Sequence, residues 1–214
     1  INVNSSGAEI TITGNTIRNL THNCTSSVTG ISGGTGFVHR IRNNRIHDLT
    51  ATNSASTATV AGITISAGGS EVVNNRIAGL NAPNTSNPNG VRGINITSAT
   101  TFTSHGVYYN TVYLNANSSG SGFGSSALFH SASATATTSS LTLQNNILVN
   151  LSTPNGSGLT VAYRRSSGGA NTLNNYSVTS DRNLFHAGTP GPNNLIYSDG
   201  TSSAQTLAAY RLGV

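Results

Sequence analysis

The stretch NNRIHDL at residues 43–49 returns almost unchanged as NNRIAGL at 74–80, and this pair decides the fold. Each copy places paired asparagines ahead of a short apolar alternation. Four weaker copies extend the series: GNTIRNL (14–20), YNTVYL (109–114), NNILVNL (145–151) and RNLFHAG (182–188). One asparagine anchors all six, at Asn15, Asn44, Asn75, Asn110, Asn146 and Asn183, with intervals of 29, 31, 35, 36 and 37 residues. A second family of strand-like segments lies between them: VTGIS (28–32), VAGITI (60–65), VRGINI (91–96), SALFH (126–130), LTVAY (159–163) and NLIY (194–197). A third, weaker set precedes the asparagines, as in FVHRI (37–41) and LTL (141–143). Each repeat therefore carries up to three strands of period-two alternation joined by Gly, Ser, Thr and Asn turns.

One such repeat cannot bury its own apolar face, so the repeats must stack. Stacking predicts an all-β, right-handed parallel β-helix of six to seven coils over 1–201, with equivalent strands about 4.8 Å apart in a rod of roughly 30 Å. The inward column of the asparagine strand is then Ile17, Ile46, Ile77, Val112, Leu148 and Phe185. A neighbouring column is Ile31, Ile63, Ile94 and Leu128. The anchoring asparagines predict a ladder: a carboxamide both donates and accepts, and asparagine tolerates the left-handed backbone that a bend into a strand requires. Residues 202–214 read as one short helix or as the start of a continuation; the helix, with a serine N-cap and Leu207 and Tyr210 turned inward, either caps the last coil or binds a partner.

Composition narrows the function. Ser, Thr, Asn and Gly make up about half of the 214 residues, charged residues only 7%, and lysine, methionine and tryptophan are absent. A helical bundle or coiled coil is excluded. No apolar run is long enough for a membrane-spanning helix, and no leader pattern is visible. Net charge is +5, but the arginines are scattered or paired, without the basic run that nucleic acid requires. Cys24 is alone and reads as a small buried hydrophobe. The hydroxyl- and amide-rich surface suits an extracellular or cell-surface location.

The repeats NNRIHDL, NNRIAGL and NNILVNL, with VAGITI and VRGINI between them, resemble the right-handed parallel β-helix, or pectin-lyase-like, superfamily over nearly the whole chain. The closing stretch 180–214 resembles the ends of β-helix regions in large secreted surface proteins of the Bacteroidetes type. The resemblance implies a section of a longer chain. It also requires that the superfamily's enzymes be considered.

Hydrolases of this fold use paired carboxylates. The five acids here, Glu9, Asp48, Glu71, Asp181 and Asp199, are never adjacent, and the family's hydrolase motifs are missing; Ser104-His105-Gly106 is their nearest echo. Calcium-dependent lyases need clustered oxygen ligands, and no acidic cluster is visible. His22 and Cys24 lack a second ligand pair for zinc, and His47 and His186 fall in distant coils. No catalytic residue, metal or cofactor is therefore expected.

Two binding readings remain open. Arg45 and Arg76 are equivalent residues of consecutive coils, about 5 Å apart at the base. They serve either as a seat for carboxylate or sulfate groups of an extracellular polysaccharide or as solvated arginines pairing with Asp48. Their column, Thr16, Arg45, Arg76, Thr111, Ile147 and Leu184, turns apolar in the last two coils. That implies cover by a loop, a domain or another copy, or a one-residue slip in the alignment. Tyr113 and Phe123 are candidate sugar-stacking platforms. The expected role is a non-catalytic structural or adhesive rod whose ends associate with itself or with adjoining domains, stacking into a stalk or filament. The alternative is a carbohydrate-binding or polysaccharide-processing β-helix.

Overall fold

A computed structural model describes residues 1–4, 7–23, 25–55, 58–167 and 173–214; Cys24 lies outside the described residues. The chain winds as a parallel β-solenoid of about six turns with three faces. Sheet 1 holds Asn2–Val3, Val28–Gly33, Val60–Ile65, Val91–Ile96, Ser125–His130, Thr160–Arg165 and Asn194–Ser198, closed by antiparallel Ser203–Ala204. Sheet 2 holds Glu9–Thr13, Val38–Arg42, Gly69–Val73, Ser104–Tyr108 and Ser140–Gln144. Sheet 3, the asparagine sheet, holds Thr16–His22, Arg45–Ala51, Arg76–Asn81, Thr111–Leu114, Ile147–Asn150 and Leu184–His186.

The repeat alignment is the register. Ile17, Ile46, Ile77, Val112, Leu148 and Phe185 are successive Cα partners, and the four middle side chains are fully buried. Ile31, Ile63, Ile94 and Leu128 stack likewise and continue into Tyr163 and Tyr197. Opposite the isoleucines, sheet 1 carries Gly30, Gly62 and Gly93. A Cβ on Gly62 would sit 2.6 Å from Ile77 Cγ2 and 2.7 Å from Gly93 O. The glycine column lets two sheets approach until an isoleucine fills the gap, and such close packing is what a core rewards.

The bend into sheet 3 corrects one expectation. The left-handed residue is not the anchoring asparagine but the one before it: Gly14, Asn43, Asn74, Tyr109, Asn145 and Arg182 all have φ between 53° and 71°. A second left-handed residue, Asn19, Asp48 or Gly79, interrupts the first three strands of sheet 3. It shifts the alternation by one, so that Leu49 and Leu80 also turn inward and are buried.

The C-terminal segment forms one helix, α1 (Leu207–Gly213). Its N-cap is Thr206, whose hydroxyl accepts from Ala209 N at 3.3 Å, in place of the expected serine. Tyr210 is buried, but Leu207 is 46% exposed rather than inward: the helix of about two turns brings only Tyr210 onto the last coil. Tyr210 joins Phe185 and Tyr197, with ring centroids 5.3 and 5.5 Å away, and its hydroxyl meets that of Tyr176 at 2.9 Å. Among the described residues no helix is long and apolar enough to cross a membrane.

Candidate functional site

The asparagine column is bonded end to end. Asn15 Nδ2 donates to Asn44 Oδ1 at 2.9 Å, and Asn44, Asn75, Asn110 and Asn146 each donate to the next asparagine, ending at Asn183, at 2.9–3.0 Å. Each of these five also donates its backbone N–H to that same oxygen, at 2.9–3.0 Å. The remaining amide hydrogen serves backbone carbonyls; for Asn110 these are Val72 O at 2.8 Å and Tyr108 O at 3.0 Å. A buried carboxamide is tolerable only when its donors and acceptor are all used, and here the repeat itself supplies every partner.

Arg45 and Arg76 are register partners, both exposed, and line a shallow recess of about 190 Å³ with His47, Asp48 and Ala78. Asp48 Oδ2 pairs with His47 Nδ1 at 2.6 Å, and neither arginine makes an ion pair among the described residues. Tyr113 aligns with Ala78 one coil further on and stands outside the recess, 43% exposed. The outward column Thr16, Arg45, Arg76, Thr111, Ile147 and Leu184 is in register throughout. The alignment does not slip: Ile147 and Leu184 face outward, 45% and 49% exposed. Phe123, by contrast, is fully buried. Its loop folds inward against the preceding coil, and it offers no platform.

The carboxylates are spread over separate faces. On sheet 2, Arg40 bridges Glu9 and Glu71, reaching Glu71 Oε2 at 2.8 Å, and Arg42 also bonds Glu71. The hydrogen bond from Arg40 holds the Glu9 carboxyl below its ordinary range. Asp48 belongs to sheet 3, so it does not join Glu71. Asp199 is buried and caps a turn, accepting from Thr201 N at 2.9 Å, Ser202 N at 2.6 Å and the Tyr197 hydroxyl at 3.1 Å. Among the described residues no three His, Cys, Asp or Glu side chains gather as a metal ion requires.

Three features escaped the sequence reading. The first is a polar relay inside the solenoid. Ser70 Oγ meets His105 Nδ1 at 2.9 Å, His105 Nε2 meets Ser139 Oγ at 2.7 Å, and His130 Nε2 meets Ser139 O at 2.8 Å, all buried. His39 and Ser70 precede His105 in the same inward column. Burial, then the nearby His39, holds His105 down at about 4; burial, then Arg165 and His105, holds His130 at about 3. The signal was present as histidines at alternating inward positions, but a polar residue in such a column reads as outward.

The second lies on the outer face of sheet 1. The Arg92 guanidinium stacks 4.4 Å over Phe129 and bonds Asn95 Oδ1 at 2.8 Å, while Arg164 donates to Pro88 O at 2.7 Å. Burial, then the charge of Arg164, lowers Arg92 to about 10. Neither arginine makes an ion pair with a carboxylate among the described residues. The third is the exposed pair Phe37 and Phe102 at the corner between sheets 1 and 2. Set against known proteins, the chain matches no family, no curated sequence and no solved structure.

Proposed function

We propose that this chain is a non-catalytic structural and adhesive rod of the cell surface or extracellular space. The observation that carries the reading is where its polar side chains are used. The anchoring asparagines and the Glu9–Arg40–Glu71–Arg42 chain bond coil to coil. Those groups lock the rod's length rather than converge on a substrate. The superfamily resemblance and the scarcity of charge support an extracellular setting.

The first coil is the end suited to stacking. It presents Ile1 and Leu20, 47% and 40% exposed, beside the free edges of three sheets. A second parallel coil, from another copy or an adjoining domain, would continue those ladders into a stalk. Electron microscopy and sedimentation of native material test this: stalks or stacked rods are expected. Dispersed single rods across the accessible concentration range would defeat it.

The second reading, binding or processing of acidic polysaccharide, is favoured by Arg92 and Arg164, two partly desolvated cations without a carboxylate partner among the described residues. A glycan array of acidic polysaccharides, run beside a lyase and hydrolase screen on them, separates the two readings, since the structural rod neither binds them nor releases product.

A further inference from the structure

Where sheet 1 turns into sheet 2, the connecting loops of successive coils enclose a groove of about 690 Å³. Gly36 and Gly68 form its floor, and Phe37 and Phe102 stand on its rims, 71% and 87% exposed. Thr35, Thr101 and Ser104 line it, and among the described residues no charged one does. The floor is kept bare by sterics. Gly68 has φ 69°, and a Cβ there would lie 2.2 Å from Gly36 O.

Phe102 is held in a conformation that its own chemistry opposes. Its φ of 57° lies in the left-handed region, which a bulky side chain avoids. Its ring is also left in water. Such strain persists only where the surroundings fix it, and it clusters at ligand sites. Here the next coil fixes it: Ser139 N donates to Thr100 O at 3.1 Å, Ser140 N to Thr103 O at 3.0 Å, and Thr101 bridges Thr138. The Thr103 hydroxyl closes the turn on Thr100 O at 2.7 Å. Phe37 is pinned from both sides, its N–H donating to Ala8 O and its carbonyl accepting from Gly69 N, each at 3.1 Å. Both rings project from backbone that neighbouring coils hold in place, so binding has only the side-chain torsions left to order.

We infer that this corner groove binds a neutral oligosaccharide, with Phe37 and Phe102 stacked on pyranose faces and the hydroxyls bonded to the sugar edges. A pyranose pairs an apolar C–H face with a hydroxyl rim, which matches aromatic walls beside threonine and serine. An uncharged lining offers nothing to a uronate or sulfate. Phe37 and Phe102 belong to coils two apart, about 10 Å along the axis, which suits a short chain of sugars rather than one ring. The site deepens the adhesive reading by giving the rod a ligand class. It needs no assembly, so rods that fail to stack would leave it standing.

Calorimetric titration of the whole chain with cellotetraose, maltotetraose, laminaritetraose, xylotetraose and mannotetraose tests the inference, with tetragalacturonate as the acidic counterpart. At least one neutral tetrasaccharide binds. Phe37→Ala and Phe102→Ala each weaken it roughly tenfold, with the melting temperature held or raised because neither ring is in the core. Silence from all five neutral sugars overturns the inference, as does equal binding by the variants. Tetragalacturonate binding in preference overturns it too. So does a loss of self-association in the variants without loss of sugar binding, which would make the groove a contact between copies.

Discussion

The first and the last described coils differ in chemistry. At the last coil the aliphatic column gives way to rings: Tyr163, Tyr176, Phe185, Tyr197 and Tyr210 form one cluster beneath α1, with centroids 5.3–6.3 Å apart. Sheet 1 is stopped there by antiparallel Ser203–Ala204. At the first coil nothing comparable exists among the described residues. Strand Thr16–His22 is exposed along almost all its length, and Asn15 opens the ladder half-buried. A solenoid coil is stable because a neighbour covers each of its faces. The covered end should therefore tolerate little change, the open end much, and the interior least of all.

The largest contrast lies along the ladder. Asn110→Ala removes the acceptor of Asn75 N and Nδ2 and the donor to Val72 O. Leaving several buried groups unpaired costs about 4 kcal/mol or more. Asn15→Ala removes bonds mainly at the surface and costs about 1 kcal/mol. Chemical denaturation of the two variants checks this, and equal losses would mean that the ladder is not cooperative with burial.

Acid should reach the interior before the ends. His105 and His130 are neutral in the folded chain, with values near 4 and 3 because burial penalises their charged forms, whereas an unfolded histidine titrates near 6.5. The unfolded state therefore binds more protons across that window. Stability is fully present above about pH 6.5 and falls as pH drops, by about 2 kcal/mol for each histidine near pH 5. Denaturant melts between pH 7 and 5 measure the slope, and His105→Gln should halve it. An unchanged slope would place the sensitivity elsewhere.

This relay marks the limit of what the residues disclosed. Strand order, register and ladder were legible because the same residue types recur at one position of each coil, as Ile46 and Ile77 do beside Asn44 and Asn75. His39 and His105 broke that pattern from inside, and only the folded chain shows that Ser70 and Ser139 satisfy His105 while His39 Nδ1 meets Gly69 O at 3.3 Å. Phe123 misled as a platform, and Phe102 drew no reading at all. Both sit in soft loops of similar composition, yet Phe123 is buried and Phe102 stands in water, because burial of a loop residue depends on how loops of adjoining coils stack. Arg45 and Arg76 were correctly brought together because they lie on strands, where register fixes position.

Tyr210→Ala probes the roof of the last coil directly. It removes the one buried anchor of α1 and the hydroxyl contact to Tyr176, and should cost about 3 kcal/mol. Ile17→Ala, the equivalent truncation of the half-buried open end, should cost about 1 kcal/mol. Thermal unfolding of both variants sharpens the asymmetry. Comparable losses would erase it and would weaken the case for stacking at the first coil.

The smallest effects concern residues that neither end nor interior requires. Phe102→Gly should raise stability by about 1 kcal/mol, because glycine takes φ 57° without strain and the lost ring is exposed. Arg76→Ala should change stability by less than about 0.5 kcal/mol, since the side chain is exposed and makes no ion pair among the described residues. If anything it should gain, because Arg45 and Arg76 stand as neighbouring like charges on one face. A loss of more than about 1 kcal/mol in the Arg76 variant would show that this outward column carries structure after all, and the recess around Arg45 would then cease to be a candidate binding surface.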